Sequence, residues 1–352
     1  MNQLFAERFK SARLMNGFSL QDLSDNLGNK ITRQALHKYE KGEVIPDSEM
    51  LGQICEALNV RPDYFTRETI VELGIINFRK LELFPPKEQS SIIERTREVL
   101  GRYLELEEIL GLKKIFEHPV PDLRINSSQD IEVFANEIRK KWKLGLGPIS
   151  NVAELLEENN IKVLELDAKD GFDGLQTWVN GKEVPVIVLN VGKLKSNDRK
   201  RFTAIHELGH LLLPLDDIND KLAEKYCHRF AGAMLFPKEA IEKEIGNKRN
   251  KISIQELGLL KEQYGISIQA MIYRLAELEV ISENYKKYYF QYINQMGWKI
   301  EEPYEYEGKE TSRRFEQLIY RALAEDIISM SKAASLKNMK LAEFRSKSLM
   351  IG

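Results

Sequence analysis

Residues 201–213 have the sequence RFTAIHELGHLLL, in which His206 and His210 are four positions apart. On an α-helix such a pair lies on one face, one turn apart, so both imidazoles can bind the same metal ion. Glu207 follows His206 directly and projects to the side of the pair, where it can take a proton from a metal-bound water. The stretch predicts a helix with a catalytic metal centre. The expected ion is Zn2+, and Mn2+ or Fe2+ are alternatives for a mixed histidine and carboxylate site.

The motif lies in an apolar helical stretch, directly after a segment rich in β-branched residues. A buried glutamate and two buried histidines need polar partners, which a metal ion would supply. The alternative is a structural one, in which both histidines are hydrogen-bonded core residues.

A catalytic zinc ion needs a third protein ligand and one open position. The following helical stretch offers Glu224 and His228, which are four residues apart and face nearly the same way. Either side chain could bind the metal while the other hydrogen-bonds a ligand histidine, and the spacing leaves this choice open. Cys227, between them, is predicted to be a small packed side chain rather than a ligand.

The N-terminal part of the chain consists of short amphipathic segments separated by turns rich in Gly, Asn, Asp and Pro. This pattern predicts a domain of five helices over residues 1–66. Ser19 is expected to cap one helix and Thr32 the next, and the second helix of such a pair enters the DNA major groove. The predicted DNA contacts are Thr32, Arg33, Gln34, His37 and Lys38.

Charge limits how this domain can bind DNA. The whole chain has a formal net charge of −2, so any attraction to phosphates must be local. Residues 1–66 contain eight Lys/Arg and nine Asp/Glu, whereas residues 30–41 contain four Lys/Arg and one Glu. The expected groove-facing helix is therefore locally basic in a neutral domain. The alternative is a degenerate module that binds proteins.

The remaining patterns define the fold class and the domain boundaries. From Ile161, three short runs (IKVLEL, GLQTWV and VPVIVLN) have the period and composition of β-strands. We therefore predict a mainly α protein with a small antiparallel β-sheet (α+β). The predicted segments are a helix-turn-helix domain over 1–66, a helical linker over 67–127, a metallopeptidase domain over 128–245 and a helical C-terminal region over 246–352.

Composition excludes several classes of protein. Cys55 and Cys227 are the only cysteines, which argues against a disulfide framework and fits a reducing compartment. The charged N-terminal residues do not resemble a signal peptide, and no run approaches 18 apolar residues. We expect a cytoplasmic protein with no membrane partner. The linker helix near 87–112 is expected to be solvated or dimerising, and the aromatic residues of 284–306 are expected to be core.

Three stretches together resemble the ImmA/IrrE family of metallopeptidases: KWKLGLGPISNVAELLEENNIKVLEL (141–166), VIVLN (186–190), and the motif helix followed by EKYCHRFAGAMLFP (224–237). The resemblance covers residues 130–280. It implies a zincin-like fold and a metal held by His206, His210 and Glu224. The family usually has Asn or Asp where this chain has His228, so His228 stays a candidate alternative ligand or supporting residue.

The resemblance also implies partners. Members of the family cleave repressors, commonly ones with helix-turn-helix domains, and VPVIVLN would be a strand beside the cleft that pairs with an extended substrate. Residues 3–66 resemble the Cro/cI (XRE) type of helix-turn-helix. We therefore expect a regulatory zinc endopeptidase that cleaves a partner repressor and binds DNA, as a homodimer if it recognises two half-sites. The alternative is a regulator or antitoxin-like DNA-binding protein whose peptidase-like domain serves as a sensor or scaffold.

Overall fold

The computed structural model describes residues 2–68, 71, 73, 84–112, 115–168, 172–179, 181 and 183–348. The chain divides into two compact units, one formed by Met1–Lys114 with Arg313–Gly352 and the other by Ile115–Ser312. The sequence predicts one helical C-terminal region over residues 246–352, whereas contacts place residues 313–352 in the first unit. The four domain boundaries derived from the sequence remain a prediction.

The described residues are mostly helical. Many helices begin at a Ser, Thr, Asn or Asp whose side chain accepts a hydrogen bond from the first turn, as expected for stable N-caps. The α-helices are α1 (Asn2–Met15), α2 (Leu20–Asn26), α3 (Arg33–Glu40), α4 (Ser48–Leu58), α5 (Pro86–Ile109), α6 (Ser128–Lys141), α7 (Val152–Glu158), α8 (Asn197–Leu212), α9 (Asp220–Leu235), α10 (Lys238–Glu244), α11 (Ile254–Tyr264), α12 (Ile268–Glu277), α13 (Glu283–Gln295), α14 (Arg314–Ala324), α15 (Met330–Leu336) and α16 (Leu341–Ser348).

The N-terminal core of the first unit is built by α1 to α4 and a 3-10 helix at Pro62–Thr66. Each element contributes an apolar side chain that is almost fully buried, namely Phe9, Leu23, Leu36, Ile54 and Phe65. The apolar residues recur at helical spacing because only one face of each short helix is buried. The five-helix prediction for this domain is confirmed.

Helix α5 belongs to the same unit. Its apolar stripe, which includes Ile92, Leu100 and Leu106, is buried, and the helix packs against α1. Tyr103 of α5 lies 5.2 Å from the ring of Phe315 in α14, measured between centroids. The sequence predicts a solvated or dimerising linker helix here. Packing within one chain instead accounts for the stripe.

The second unit combines α6 to α13 with a three-stranded sheet. The strands are β1 (Lys162–Leu166), β2 (Gly174–Val179) and β3 (Val184–Asn190), and their order in the sheet is β1-β3-β2. β3 is antiparallel to β2 but parallel to β1. The α+β class is confirmed, but the predicted antiparallel sheet is a mixed one.

The burial of β3 explains this arrangement. All seven of its residues are buried, so this strand takes the centre of the sheet and needs a neighbour on each edge. The short connection after β2 places β2 on one edge as a hairpin partner. β1 lies on the other edge, parallel to β3.

Among the described helices, none combines the length and the hydrophobicity required to cross a bilayer.

Candidate metal centre

The HELGH motif lies in the C-terminal half of α8, which packs on the sheet, on α7 and on α9. His206 and Glu207 are buried, and the side chain of His210 is 9% exposed. The two imidazoles meet on one face, where their Nε2 atoms are 3.3 Å apart. The sequence spacing thus places both nitrogens at one point, at the boundary between core and solvent.

Gly209 allows α9 to approach this helix closely. A Cβ atom at Gly209 would lie 3.2 Å from both Cys227 Sγ and Phe230 Cδ1 of α9. Cys227 is fully buried at this contact, in agreement with its predicted role as a packed side chain. The close approach matters because α9 carries both candidate third ligands.

Glu224 of α9 reaches both histidines of α8. Its Oε2 atom lies 3.2 Å from His206 Nε2, and its Oε1 atom lies 3.2 Å from His210 Nε2. With the 3.3 Å between the two nitrogens, the side chains converge on a single point. The Glu224 side chain is 43% exposed, so this point is open to solvent on one side.

His228 lies one turn after Glu224 on α9, and its ring is also close to His206. Its ring centroid is 4.4 Å from that of His206, and the ring stacks on Phe202 at 5.9 Å. One ligand atom each from His206, Glu224 and His228 lie within 4.8 Å of one another, so these three also form a group able to hold a metal ion. His206 and Glu224 belong to both possible ligand sets, and the third member is either His210 or His228.

Glu207 projects towards the sheet. A Cβ atom at Gly174, the first residue of β2, would lie 3.0 Å from Glu207 Cγ and 2.7 Å from Thr203 Cγ2. Glycine at this position therefore makes room for the carboxylate between α8 and β2. β2 is an edge strand of the described sheet, whereas β3 is paired with β1 over residues 186–190 and with β2 over residues 184–189. The expectation that VPVIVLN (184–190) pairs with a substrate is wrong for its central part, because residues 186–189 already have a strand on each side.

A buried ionic group holds the N-terminal half of α8. Arg201 is fully buried and donates to Glu310 Oε1 at 2.7 Å and to the carbonyl oxygen of Ile149 at 2.6 Å. Glu310 also accepts from the Val152 amide. Burial nevertheless raises the pKa of the Glu310 carboxyl above its usual range. Sequence reasoning missed this group, because nothing in the spacing pairs two residues 109 positions apart.

The predicted DNA-contacting residues all lie on α3 or its cap. Thr32 Oγ1 accepts a hydrogen bond from the Ala35 amide, and α3 buries Leu36 and Tyr39 in the domain core. The opposite face is exposed to solvent along its length, and it presents Thr32, Arg33, Gln34, His37 and Lys38. The structure thus places the five predicted side chains on one surface.

Comparisons with known proteins find two domains in this chain. Residues 9–65 match the helix-turn-helix family, and residues 156–276 match the IrrE N-terminal-like domain of the M78 peptidase family. The chain is also 39% identical over 72 residues to an SPbeta prophage-derived uncharacterized HTH-type transcriptional regulator, YonR, of Bacillus subtilis (strain 168). That alignment covers 20% of this chain and 65% of the relative. The chain contains an XRE-type helix-turn-helix domain and an ImmA/IrrE-like domain, as the sequence predicted.

Proposed function

We propose that this chain, a DNA-binding regulator with an ImmA-like domain, is a zinc-dependent endopeptidase that cleaves a partner repressor. The observation behind the proposal is the position of Glu224, whose two oxygens each lie 3.2 Å from the Nε2 atom of a motif histidine. A carboxylate that only balanced charge would not need to bridge two histidines. Cytoplasmic localisation is part of the same proposal.

The spacing of these atoms fits a zinc ion. With bonds of about 2.0–2.1 Å, neighbouring ligand atoms of a tetrahedral zinc lie about 3.3–3.4 Å apart. The two Nε2 atoms lie 3.3 Å apart, and each lies 3.2 Å from one oxygen of Glu224, so these side chains are close enough to share one zinc ion. When bound, zinc would polarise a substrate carbonyl and acidify a water molecule. We favour Glu224 as third ligand, with His228 as a supporting residue or alternative ligand.

The remaining chemistry belongs to Glu207. The residue is 2% exposed, which limits competing solvent hydrogen bonds. Its carboxylate would accept a proton from the attacking water and return it to the nitrogen of the leaving amine. Gly174, at the start of β2, leaves room for this side chain.

The substrate is proposed to bind as an extended chain. β2 begins beside Glu207, and its outer edge is not paired within the described sheet. An extended peptide can add to such an edge through main-chain hydrogen bonds, which would carry a scissile bond past the metal centre. The proposed substrate is a repressor with a helix-turn-helix domain. DNA is the proposed partner of α3.

The decisive experiment separates metal binding from proteolysis. Host proteome would be treated with zinc-loaded wild type or with the Glu207→Gln variant, and newly formed protein N-termini would be identified by mass spectrometry. We expect wild type alone to create termini within one or a few repressors. Glu239→Gln, an exposed change of the same kind on α10, serves as the matched control and should behave as wild type.

Two outcomes decide between the candidate functions. A terminus that requires Glu207 establishes the peptidase. If zinc is bound but wild type and Glu207→Gln give the same termini, the peptidase proposal fails. The domain would then be a sensor or scaffold attached to a DNA-binding regulator.

A further inference from the structure

The last two helices form a second hairpin with the dimensions of a helix-turn-helix. α15 and α16 have seven and eight residues, as do α2 and α3. Ser329 caps α15 by accepting from the Lys332 amide at 3.2 Å, as Ser19 caps α2. The turn contains Asn338 at φ 51°, a left-handed conformation that also occurs in the turn before α3, at Asn29. Two short helices joined by a turn of three or four residues are typical of this motif.

The hairpin is fixed to the unit that contains α3. Arg61, just before the 3-10 helix, donates to the carbonyl oxygen of Met339 in the α15–α16 turn at 2.7 Å. Ser335 of α15 donates to the carboxylate of Asp63 in that 3-10 helix. Arg102 of α5 donates to the carbonyl oxygen at the C-terminal end of α15. These contacts hold both helical hairpins in one compact unit.

α16 leaves most of its surface exposed. Phe344 is its one buried residue, and the ring stacks on Tyr320 of α14 at 6.4 Å. A helix that only completed a core would bury a wider stripe. The rest of α16 is therefore available to a partner.

The positive charge of residues 337–347 indicates an anionic partner. Residues 337–347 contain four Lys/Arg and one Glu, the same composition as residues 30–41 around α3, in a chain with a net charge of −2. Lys340 and Arg345 are exposed and have no ion-pair partner among the residues that the structure describes. Lys347 is paired with Glu343 at 3.0 Å, so Lys340 and Arg345 supply the unpaired positive charge.

We propose that α15 and α16 form a second helix-turn-helix, in which Lys340 and Arg345 contact the phosphate backbone of duplex DNA. The proposal extends the DNA binding proposed for α3 and rests on it. The motif places its second helix against the duplex, and here that helix is the basic and exposed one. Phosphate contacts of this kind add affinity and fix orientation without reading sequence.

The test measures the salt dependence of DNA binding by the full-length protein. The probe is a fluorescent random-sequence duplex, followed by anisotropy over a series of salt concentrations. Each lost phosphate contact flattens the plot of log K against log salt by about 0.9, so Lys340→Ala/Arg345→Ala should flatten it by about two units. Lys238→Ala/Lys243→Ala, which removes two exposed cations from α10, should leave the slope unchanged. Equal melting temperatures would exclude misfolding.

A third variant separates this proposal from the one for α3. Lys38→Ala should flatten the slope by about one unit through α3 alone. If Lys38→Ala flattens the slope and Lys340→Ala/Arg345→Ala does not, the second motif is overturned while DNA binding by α3 stands. The hairpin would then be a protein-binding surface. If none of these variants changes the slope, both DNA proposals fail.

Discussion

We expect the proposed metal centre to depend on how closely α9 approaches α8 at Gly209, and Gly209→Ala tests this directly. The added Cβ would lie 3.2 Å from Cys227 Sγ and Phe230 Cδ1 and 3.3 Å from Cys227 Cα. Carbon atoms in contact prefer about 3.5–4.0 Å, so the helices must separate by a few tenths of an ångström. Because one of the neighbours is backbone, a change of side-chain rotamer cannot absorb the contact.

The effect on stability should be small. Overpacking a core costs about 1–3 kcal/mol, whereas alanine is favoured over glycine inside a helix by about 1 kcal/mol. The expected loss in the free energy of unfolding is therefore about 0–2 kcal/mol. The metal site has no such compensation, since His210 and Glu224 lie on different helices with their ligand atoms 3.2 Å apart. We expect zinc affinity to fall about 10–100-fold, as it does when the support of a ligand is disturbed.

The assay is a zinc titration in competition with a chromophoric chelator, combined with denaturant unfolding of the metal-free protein. The matched control is Gly52→Ala on α4, where an added Cβ meets no atom within 4 Å. That variant should be slightly more stable and should bind zinc as wild type does. Wild-type zinc affinity in Gly209→Ala would show that helix separation does not set the ligand geometry.

Four further predictions follow from the same structure. Glu207→Gln should keep its zinc and lose proteolysis by about 10²–10⁴-fold, checked by metal analysis beside cleavage rates. Glu224→Ala should lose zinc almost completely, whereas His228→Ala should bind it about 10–100-fold more weakly; the reverse order in a chelator titration would exchange their roles. Gln34→Ala should relax sequence preference by about 1–3 kcal/mol in a selection from random duplexes, and an unchanged selected sequence would exclude base reading by this side chain. The pKa of Glu310 is raised by burial, so the folded state binds its proton more tightly than the unfolded state. Its contribution to the free energy of unfolding therefore decreases as pH rises from the unfolded value of 4.5 to the higher folded value, and Glu310→Gln should remove this part of the measured pH dependence.

Features that depend on local spacing can be predicted from the sequence alone. His206 and His210 share a face because four residues make about one helical turn. Ser19 and Thr32 cap consecutive helices because their hydroxyls reach amides three residues further on. The exposed face of α3 followed from the same periodicity. These features involve residues close in the chain, so pattern alone was sufficient to predict where they lie.

Features that depend on contacts between distant residues are visible only in the folded chain. Periodicity could not place β3 between its two neighbours, because strand order is a choice among pairings and not a local preference. Spacing also left Glu224 and His228 equivalent, since they lie one turn apart on the same side of α9. The fold brings the Glu224 carboxylate to within 3.2 Å of both motif imidazoles and also groups His228 with His206 and Glu224, and neither contact follows from spacing. The assignment of 313–352 to the N-terminal unit has the same cause: burial of apolar surface is indifferent to separation along the chain.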